Sequence, residues 1–276
     1  MDRMKDRVAL VTGGASGLGA ATCLLFAEEG ADVVVADLNE ERGAEVVKAV
    51  EELGRHAVYQ HVDVKESTGL EAAVAIAEER FGKLDTVVAN AGIGGAASRR
   101  SLTDLSEEQF DEVMQVNLYG VWRTFKAAVP ALRRAGGGAM TSTASVAGLS
   151  ILGGTTLGAY TASKHGAVGL TKFYASELAK ENIRVNCVCP GRMRTNIDES
   201  YQWTEQELAA ARQRRKDAVP ETAQRTIADP IEVAYLHLYF CCAESSFVTG
   251  QAIEADGGLN LLMNRTGLVT KTPADR

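Results

Sequence analysis

Two hydrophobic patterns alternate along this chain. Short, largely apolar runs at 8–11, 31–36 and 84–89, and a more mixed strand-like run at 57–62, are each followed by a stretch whose apolar residues recur at helical spacing. The runs predict strands buried on both faces, and the stretches between them predict helices with one core-facing stripe. Leu18, Ala21 and Leu25 form the first stripe, Val46, Val50 and Leu53 the second, and Leu70, Val74, Ala77 and Phe81 the third. Gly54 and Gly82 stand where a helix-ending glycine belongs. Further on, Ser106-Glu107-Glu108-Gln109 reads as a capping box that opens a long helix, with Phe110, Val113, Met114 and Val121 toward the core. Pro130 lacks an N–H and is expected to bend or stop that helix. A more polar strand follows at 138–143, then a helix through Tyr160, a strand at 183–188 and a last one at 251–255. Asp229-Pro230-Ile231-Glu232, with an N-cap residue, a proline at N1 and a glutamate at N3, begins another helix between these two strands. Repeated strand–helix units predict an α/β fold, doubly wound about a parallel sheet, whose ligands bind beyond the strands' carboxyl ends. No linker, low-complexity stretch or sequence repeat interrupts the alternation, so one domain over 1–276 is expected.

Composition narrows the class of function. The 276 residues are 46% hydrophobic and 24% charged, which is ample for one large core without a disulfide or metal staple. A net charge of -7 and a pI near 5.3 argue against nucleic acid, which needs a basic footprint. The one basic run, at 212–216, reads as a solvated helix face. No apolar run reaches membrane-spanning length and the first residues carry no apolar leader, so a cytoplasmic protein is expected. The five cysteines form no Cys-x-x-Cys pair, and Cys187 and Cys189 share one face of a strand; buried reduced thiols are the expectation. His56, His61, His165 and His237 are scattered without ligand spacing, so no metal is expected.

Candidate chemistry collects at the strand ends. Thr12-Gly13-Gly14-Ala15-Ser16-Gly17-Leu18-Gly19 joins the first strand to the first helix. Such a turn lets backbone approach a pyrophosphate while the helix N-terminus supplies N–H groups and a positive dipole end. Its Gly-x-x-x-Gly-x-Gly spacing serves equally well as a structural turn, and the next strand decides. That strand ends at Asp37, placed to accept from the adenosine ribose hydroxyls of NAD and to repel the 2′-phosphate of NADP. No arginine or lysine stands at Gly14, Ala15, Leu38 or Asn39 to receive that phosphate, so NAD is the expected cofactor. Asp37 could instead cap the helix opening at Asn39-Glu40-Glu41. Asp63 and Asn90 fall at the next two strand ends, and Ser145 follows the fifth strand. Asn117 interrupts an apolar stripe, and a buried amide must be hydrogen-bonded. Tyr160 and Lys164, four residues apart on a helix, share one face. An ammonium near a phenol lowers the phenol pKa from about 10 and lets it exchange a proton with an alcohol oxygen.

With these motifs in order, the chain resembles the short-chain dehydrogenase/reductase family over roughly residues 6–258. The likeness rests on Thr12-Gly13-x-x-x-Gly17-x-Gly19, Asn90-Ala91-Gly92, Asn117, Ser145, Tyr160-x-x-x-Lys164, Pro190-Gly191 and Asp256-Gly257-Gly258. It implies a Rossmann-like fold with a seven-stranded parallel sheet, a nicotinamide cofactor and a homotetramer or homodimer. By position it implies Tyr160 as general acid/base and Ser145 as hydrogen-bond partner of the substrate oxygen. Lys164 would hold the nicotinamide ribose and lower the Tyr160 pKa, and Asn117 would hold a water in a proton relay. Gly13, Ser16, Gly17, Leu18 and Gly19 would form the pyrophosphate turn. Asp37, Leu38, Asp63, Val64, Asn90, Ala91 and Gly92 would border the adenosine and its ribose. Pro190, Gly191, Met193 and Thr195 would meet the nicotinamide end.

The chain departs from the family pattern in three places. Ala144-Ser145 replaces a Ser-Ser pair, the loop from Ser145 to Tyr160 is long around Gly153-Gly154-Thr155-Thr156, and a tail over 259–276 lies beyond the resemblance. Residues 196–228 are expected to lie over the substrate, with a capping box at 204–207. Ile197, Tyr201 and Trp203 there suggest a partly apolar, cyclic substrate. The leading reading is an NAD-dependent oxidoreductase of secondary alcohols and ketones. A sugar or polyol dehydrogenase and a 3-oxoacyl thioester reductase are the alternatives, Asp37 counting against the second. A non-catalytic sensor of NAD(H) would lack the tyrosine or the lysine, and both are present.

Overall fold

The computed structural model describes residues 2–94, 101–151, 157–194, 223–224 and 227–261. Its strands are β1 (Val8–Thr12), β2 (Asp32–Asp37), β3 (Ala57–His61), β4 (Thr86–Ala89), β5 (Gly138–Thr143), β6 (Ile183–Pro190) and β7 (Ala252–Ala255). They form one seven-stranded sheet in the order β3-β2-β1-β4-β5-β6-β7. Every pairing is parallel, beginning with Val8 opposite Asp32 and Ala9 opposite Thr86. The helices are α1 (Gly17–Glu28), α2 (Glu40–Glu52), α3 (Ser67–Phe81), α4 (Glu107–Met114), α5 (Gly120–Arg134), α6 (Gly158–Leu178) and α7 (Pro230–Cys241).

The period-two alternation of the strands divides the core into two layers. Val8 and Leu10 face α3, α5 and α6, where Leu70, Val74, Phe125, Leu132 and Leu178 are buried. Ala9 and Val11 face the other side, where Leu18, Leu25, Phe26, Leu238 and Phe240 close over the sheet. The chain runs outward from β1 through β2 to β3, then returns to β4 on the other side of β1. That reversal opens a crevice between the carboxyl ends of β1 and β4, as in other doubly wound sheets.

The local signals at 106–109 and 229–232 behave as their chemistry dictates. Ser106 and Gln109 make a reciprocal capping box at α4, and the Asp229 N–H donates to Glu232 Oε2 at 2.9 Å at the start of α7. Gly82 ends α3 at φ 81. Three expectations need correction. Leu53 is 44% exposed, because α2 ends at Glu52 and Leu53 already follows the turn at its end rather than the buried stripe of Val46 and Val50. Pro130 does not stop α5, which continues to Arg134 with Ala131 and Leu132 buried. Their burial outweighs the one hydrogen bond that proline forfeits. The long helix from Glu107 is also not continuous: a π turn spans Gln115–Tyr119 between α4 and α5, with Asn117 inside it.

Candidate active site

The glycine turn leaves β1 at the crevice. Gly13 sits at φ +65, and a Cβ there would lie 2.9 Å from the Ala91 Cα, so neither its conformation nor its space admits a side chain. Ser16 is the N-cap of α1 but makes no side-chain cap, and the first turn holds no acidic residue. The leading N–H groups of α1 are thus left uncapped by side chains, which suits an anion. Gly17 opens α1 at φ +51, while Gly19 abuts the Gly13 carbonyl. Asn90 ties this turn down. Its Nδ2 donates to the carbonyls of Thr12 and Gly13 at 3.2 and 3.3 Å, and its N–H donates to Thr12 Oγ1 at 3.0 Å. Of the alternatives for the turn, the geometry favours more than a structural link, because the uncapped helix end faces open space.

Asp37 closes the far end of β2. Its Oδ2 accepts from the Ala15 N–H and its Oδ1 from the Asn39 N–H, both at 3.0 Å. The cap of α2 is Asn39, whose Oδ1 accepts from the Arg42 N–H at 2.9 Å, so Asp37 does not cap that helix itself. Each Asp37 oxygen keeps a further lone pair for a ligand. Tyr59 on β3 donates its hydroxyl to the Asp37 carbonyl at 2.9 Å and so fixes the strand end. At the next strand end Asp63 accepts from the Lys65 N–H at 2.9 Å and pairs with the Lys65 ammonium at 3.4 Å. Val64 beside it is buried.

Tyr160 and Lys164 lie on the first turns of α6, facing β5 and the crevice. Lys164 is 3% exposed and its Nζ donates to the Thr143 carbonyl at 2.8 Å, 5.5 Å from the centre of the Tyr160 ring. Burial lowers its pKa to about 8. Tyr160 lines the same cleft as Ser145, which begins a short 3-10 turn after β5. The expected lowering of the Tyr160 pKa by Lys164 is not seen in the protein alone. Desolvation pushes the phenol up and the nearby Ser145 hydroxyl pulls the other way, while the ammonium is directed at the Thr143 carbonyl. Asn117 is fully buried. Its Oδ1 accepts from the Ile93 N–H and its Nδ2 donates to the Ile93 carbonyl, each at 2.8 Å, with Ser163 Oγ 3.3 Å from Nδ2. The amide thereby holds the segment after Gly92 against α6, and a Cβ on Gly92 would stand 3.4 Å from Lys164 Nζ.

One cleft of about 610 Å³ joins these groups. Gly13, Ser16, Leu18, Asp37, Leu38, Asp63, Val64, Asn90, Ala91 and Gly92 border one half. Ser145, Tyr160, Lys164, Pro190, Gly191 and Met193 border the other. Asn117, Gly17 and Gly19 stand behind the walls as supports rather than in them. Thr195, Ile197, Tyr201, Trp203, the 204–207 cap and the basic run lie outside the described residues, as do the loop at 152–156 and the tail beyond Leu261. Sequence reasoning missed Thr143, whose carbonyl holds Lys164, and Tyr59, which holds the backbone of Asp37. It also missed Ile93 and Val116, which add apolar wall. The polar end of β5 was the available signal for Thr143; a tyrosine inside an ordinary strand signals nothing by itself.

All five cysteines are free and buried, with Cys187 and Cys189 Sγ atoms 4.0 Å apart. Among the described residues no three His, Cys, Asp or Glu side chains gather as metal ligands, and no helix is long and apolar enough to cross a membrane.

Comparison with known proteins agrees with this geometry. Residues 13–260 match the family model described as Enoyl-(Acyl carrier protein) reductase. The 3-oxoacyl-(acyl-carrier-protein) reductase of Thermotoga maritima is 37% identical over 257 residues, covering 93% of this chain and 99% of that protein. The cyclohexanol dehydrogenase of Acinetobacter sp. (strain SE19) is 37% identical over 256 residues, 93% of this chain and 96% of the relative. The crystal structure of carveol dehydrogenase from Mycobacterium avium, in complex with NAD, superposes with a TM-score of 0.82 at 30% identity. It covers 95% of this chain and all of its own.

Proposed function

The chain belongs to the short-chain dehydrogenase/reductase family, and from that premise we propose that it is an NAD-dependent oxidoreductase of secondary alcohols and ketones, with a partly apolar, cyclic substrate. The observation that carries the reading is that Ser145, Tyr160 and Lys164 line one end of the same cleft whose other end is Asp37. When bound, the cofactor would supply the hydride chemistry at its nicotinamide ring, and the protein supplies position and a proton. The residues present fit such a group: a turn without room for a Cβ, an uncapped helix end for the pyrophosphate and a carboxylate for the ribose.

In this reading Tyr160 takes the proton from the alcohol oxygen in oxidation and returns it to the carbonyl oxygen in reduction. Ser145 donates to that same oxygen and steadies the charge that develops on it. Lys164 has three N–H donors, one of which reaches Thr143, leaving two for the ribose hydroxyls. Asn117 keeps the Ile93 backbone and α6 in register around Lys164 and borders the proton relay. Asp37 accepts from the adenosine ribose and repels a 2′-phosphate, supported by Gly13, Ser16, Gly17, Leu18, Gly19 and Leu38 along the turn. Asp63, Val64, Asn90, Ala91 and Gly92 border the adenine and its ribose, while Pro190, Gly191, Met193 and Thr195 border the nicotinamide. Ile93, Val116 and Met193 give the substrate half an apolar wall. That wall, together with the similarity to cyclohexanol and carveol dehydrogenases, supports a cyclic alcohol.

A 3-oxoacyl thioester substrate is the second reading, favoured by the Thermotoga maritima relative and opposed by Asp37 if NADP is required. The test is turnover of the purified protein with NAD and with NADP against cyclic alcohols, acyclic alcohols, polyols and, in the reducing direction, a 3-oxoacyl thioester. The proposal expects reduced nicotinamide to form from NAD and cyclic secondary alcohols. Thioester reduction with NADPH alone would overturn it. We also assign a cytoplasmic homotetramer or homodimer. Exposed Trp122 on α5, Phe173 on α6 and Tyr235 on α7 support association, and light scattering on the purified chain measures it.

A further inference from the structure

Among the described residues, His237 is a fully buried polar group that takes no part in the chemistry above. It lies on α7, and burial lowers its pKa to about 3, so the ring is neutral. Both ring nitrogens meet β5. Nδ1 lies 2.8 Å from Thr141 Oγ1 and Nε2 lies 3.1 Å from Thr143 Oγ1, two residues that share a strand face.

The protons of this chain of contacts follow by elimination. The carbonyls of Thr12 and Gly13 can only accept, so the Asn90 amide turns its NH₂ to them and its oxygen to Thr143. The Thr143 hydroxyl, 3.0 Å from that oxygen, must donate its one proton there. It can then only accept from His237. Nε2 therefore carries the imidazole proton, and Nδ1 accepts from the Thr141 hydroxyl.

We propose that His237 is a positioning residue for the cofactor half of the site, holding the Thr143 hydroxyl, and through it the Asn90 amide, in the orientation that pins the glycine turn. An apolar side chain would fill the same space without desolvating a polar ring, yet it would leave the Thr143 hydroxyl free to rotate. Thr143 also presents its carbonyl to Lys164 at 2.8 Å, so the residue that His237 steadies touches both halves of the cleft. The inference rests on the NAD reading above.

Two measurements test it. Nitrogen NMR of the histidine rings in the intact protein should show His237 as the Nε2–H tautomer, without titration between about pH 5 and about pH 8. An Nδ1–H tautomer or a titrating ring would overturn the hydrogen-bond chain. NADH affinity is then followed by nicotinamide fluorescence in the wild type, His237→Leu and His237→Gln. Leucine should raise the NADH Kd about three- to tenfold, the scale of one hydrogen bond, with kcat at saturating cofactor changed less than about threefold. Glutamine, whose Nε2 stands where the imidazole Nε2 does, should recover the affinity. Wild-type binding retained by the leucine variant would sink the inference, as would a glutamine variant as weak as leucine. Should leucine fail to fold, glutamine and the tautomer still decide. A wild type that binds no NADH overturns the cofactor reading itself, a different result from either.

Discussion

Replacing Lys164 with methionine removes a buried ammonium while keeping most of the side-chain volume. The folded chain holds that group at a pKa of about 8 against an ordinary value of 10.5, because burial disfavours its charge. A lysine whose folded pKa lies below its unfolded one carries a penalty. The penalty is full below about pH 8 and is relieved as pH rises through 8 toward 10.5. At about 1.36 kcal/mol per pK unit the whole penalty is about 3 kcal/mol, of which about 2 kcal/mol is relieved between about pH 7 and about pH 9.5. The hydrogen bond to the Thr143 carbonyl is lost in the variant at every pH, so it offsets the comparison without giving it a slope. Urea unfolding of both proteins across this range measures the difference. Wild type should gain about 2 kcal/mol on Lys164→Met by the alkaline end. A flat or falling difference would show that the ammonium is solvated when folded, and the burial assigned to Lys164 would be wrong.

Other consequences are equally open to measurement. Asp37→Ala removes the acceptor of the Ala15 and Asn39 N–H groups and the partner proposed for the ribose. It should weaken NAD about ten- to a hundredfold while NADP loses little or improves, read from KM for each cofactor. Gly43→Ala drives a Cβ into the Tyr59 ring, whose hydroxyl holds the Asp37 carbonyl. Denaturant unfolding should show a loss of about 1–3 kcal/mol, accompanied by a raised KM for NAD that a remote cavity defect would not cause. Alcohol oxidation should speed up as pH rises toward the elevated Tyr160 pKa, and ketone reduction should slow, in rate profiles taken with saturating cofactor.

Much of the fold was legible because its signals are local. Buried parallel strands read as apolar runs, and glycines or polar residues fall where those runs stop, so the sequence alone places Gly13, Asp37, Asp63 and Asn90 at one sheet edge. The spacing of Tyr160 and Lys164 likewise needs only a helix. What could not be read depends on partners distant in sequence. Thr143 matters because Lys164 reaches its carbonyl, and Tyr59 because it meets the backbone of a neighbouring strand. Asn117 was visible as a polar interruption, whereas the π turn around it and its pairing with Ile93 were not. Pro130 misled for a related reason: the cost of a missing N–H is local and predictable, but the burial of Ala131 and Leu132 that outweighs it is tertiary. The Tyr160 pKa shows the same limit, since a neighbouring charge can be inferred from spacing and the depth of burial cannot.

The central claim is that Tyr160 exchanges the proton of the substrate oxygen beside a bound nicotinamide. It is tested most directly by comparing wild type and Tyr160→Phe for NADH binding and for the rate of NAD reduction with cyclohexanol. The account predicts nearly equal NADH affinity and a rate lowered at least about a hundredfold, the scale of a lost general acid/base. A phenylalanine variant that turns over at the wild-type rate would contradict it.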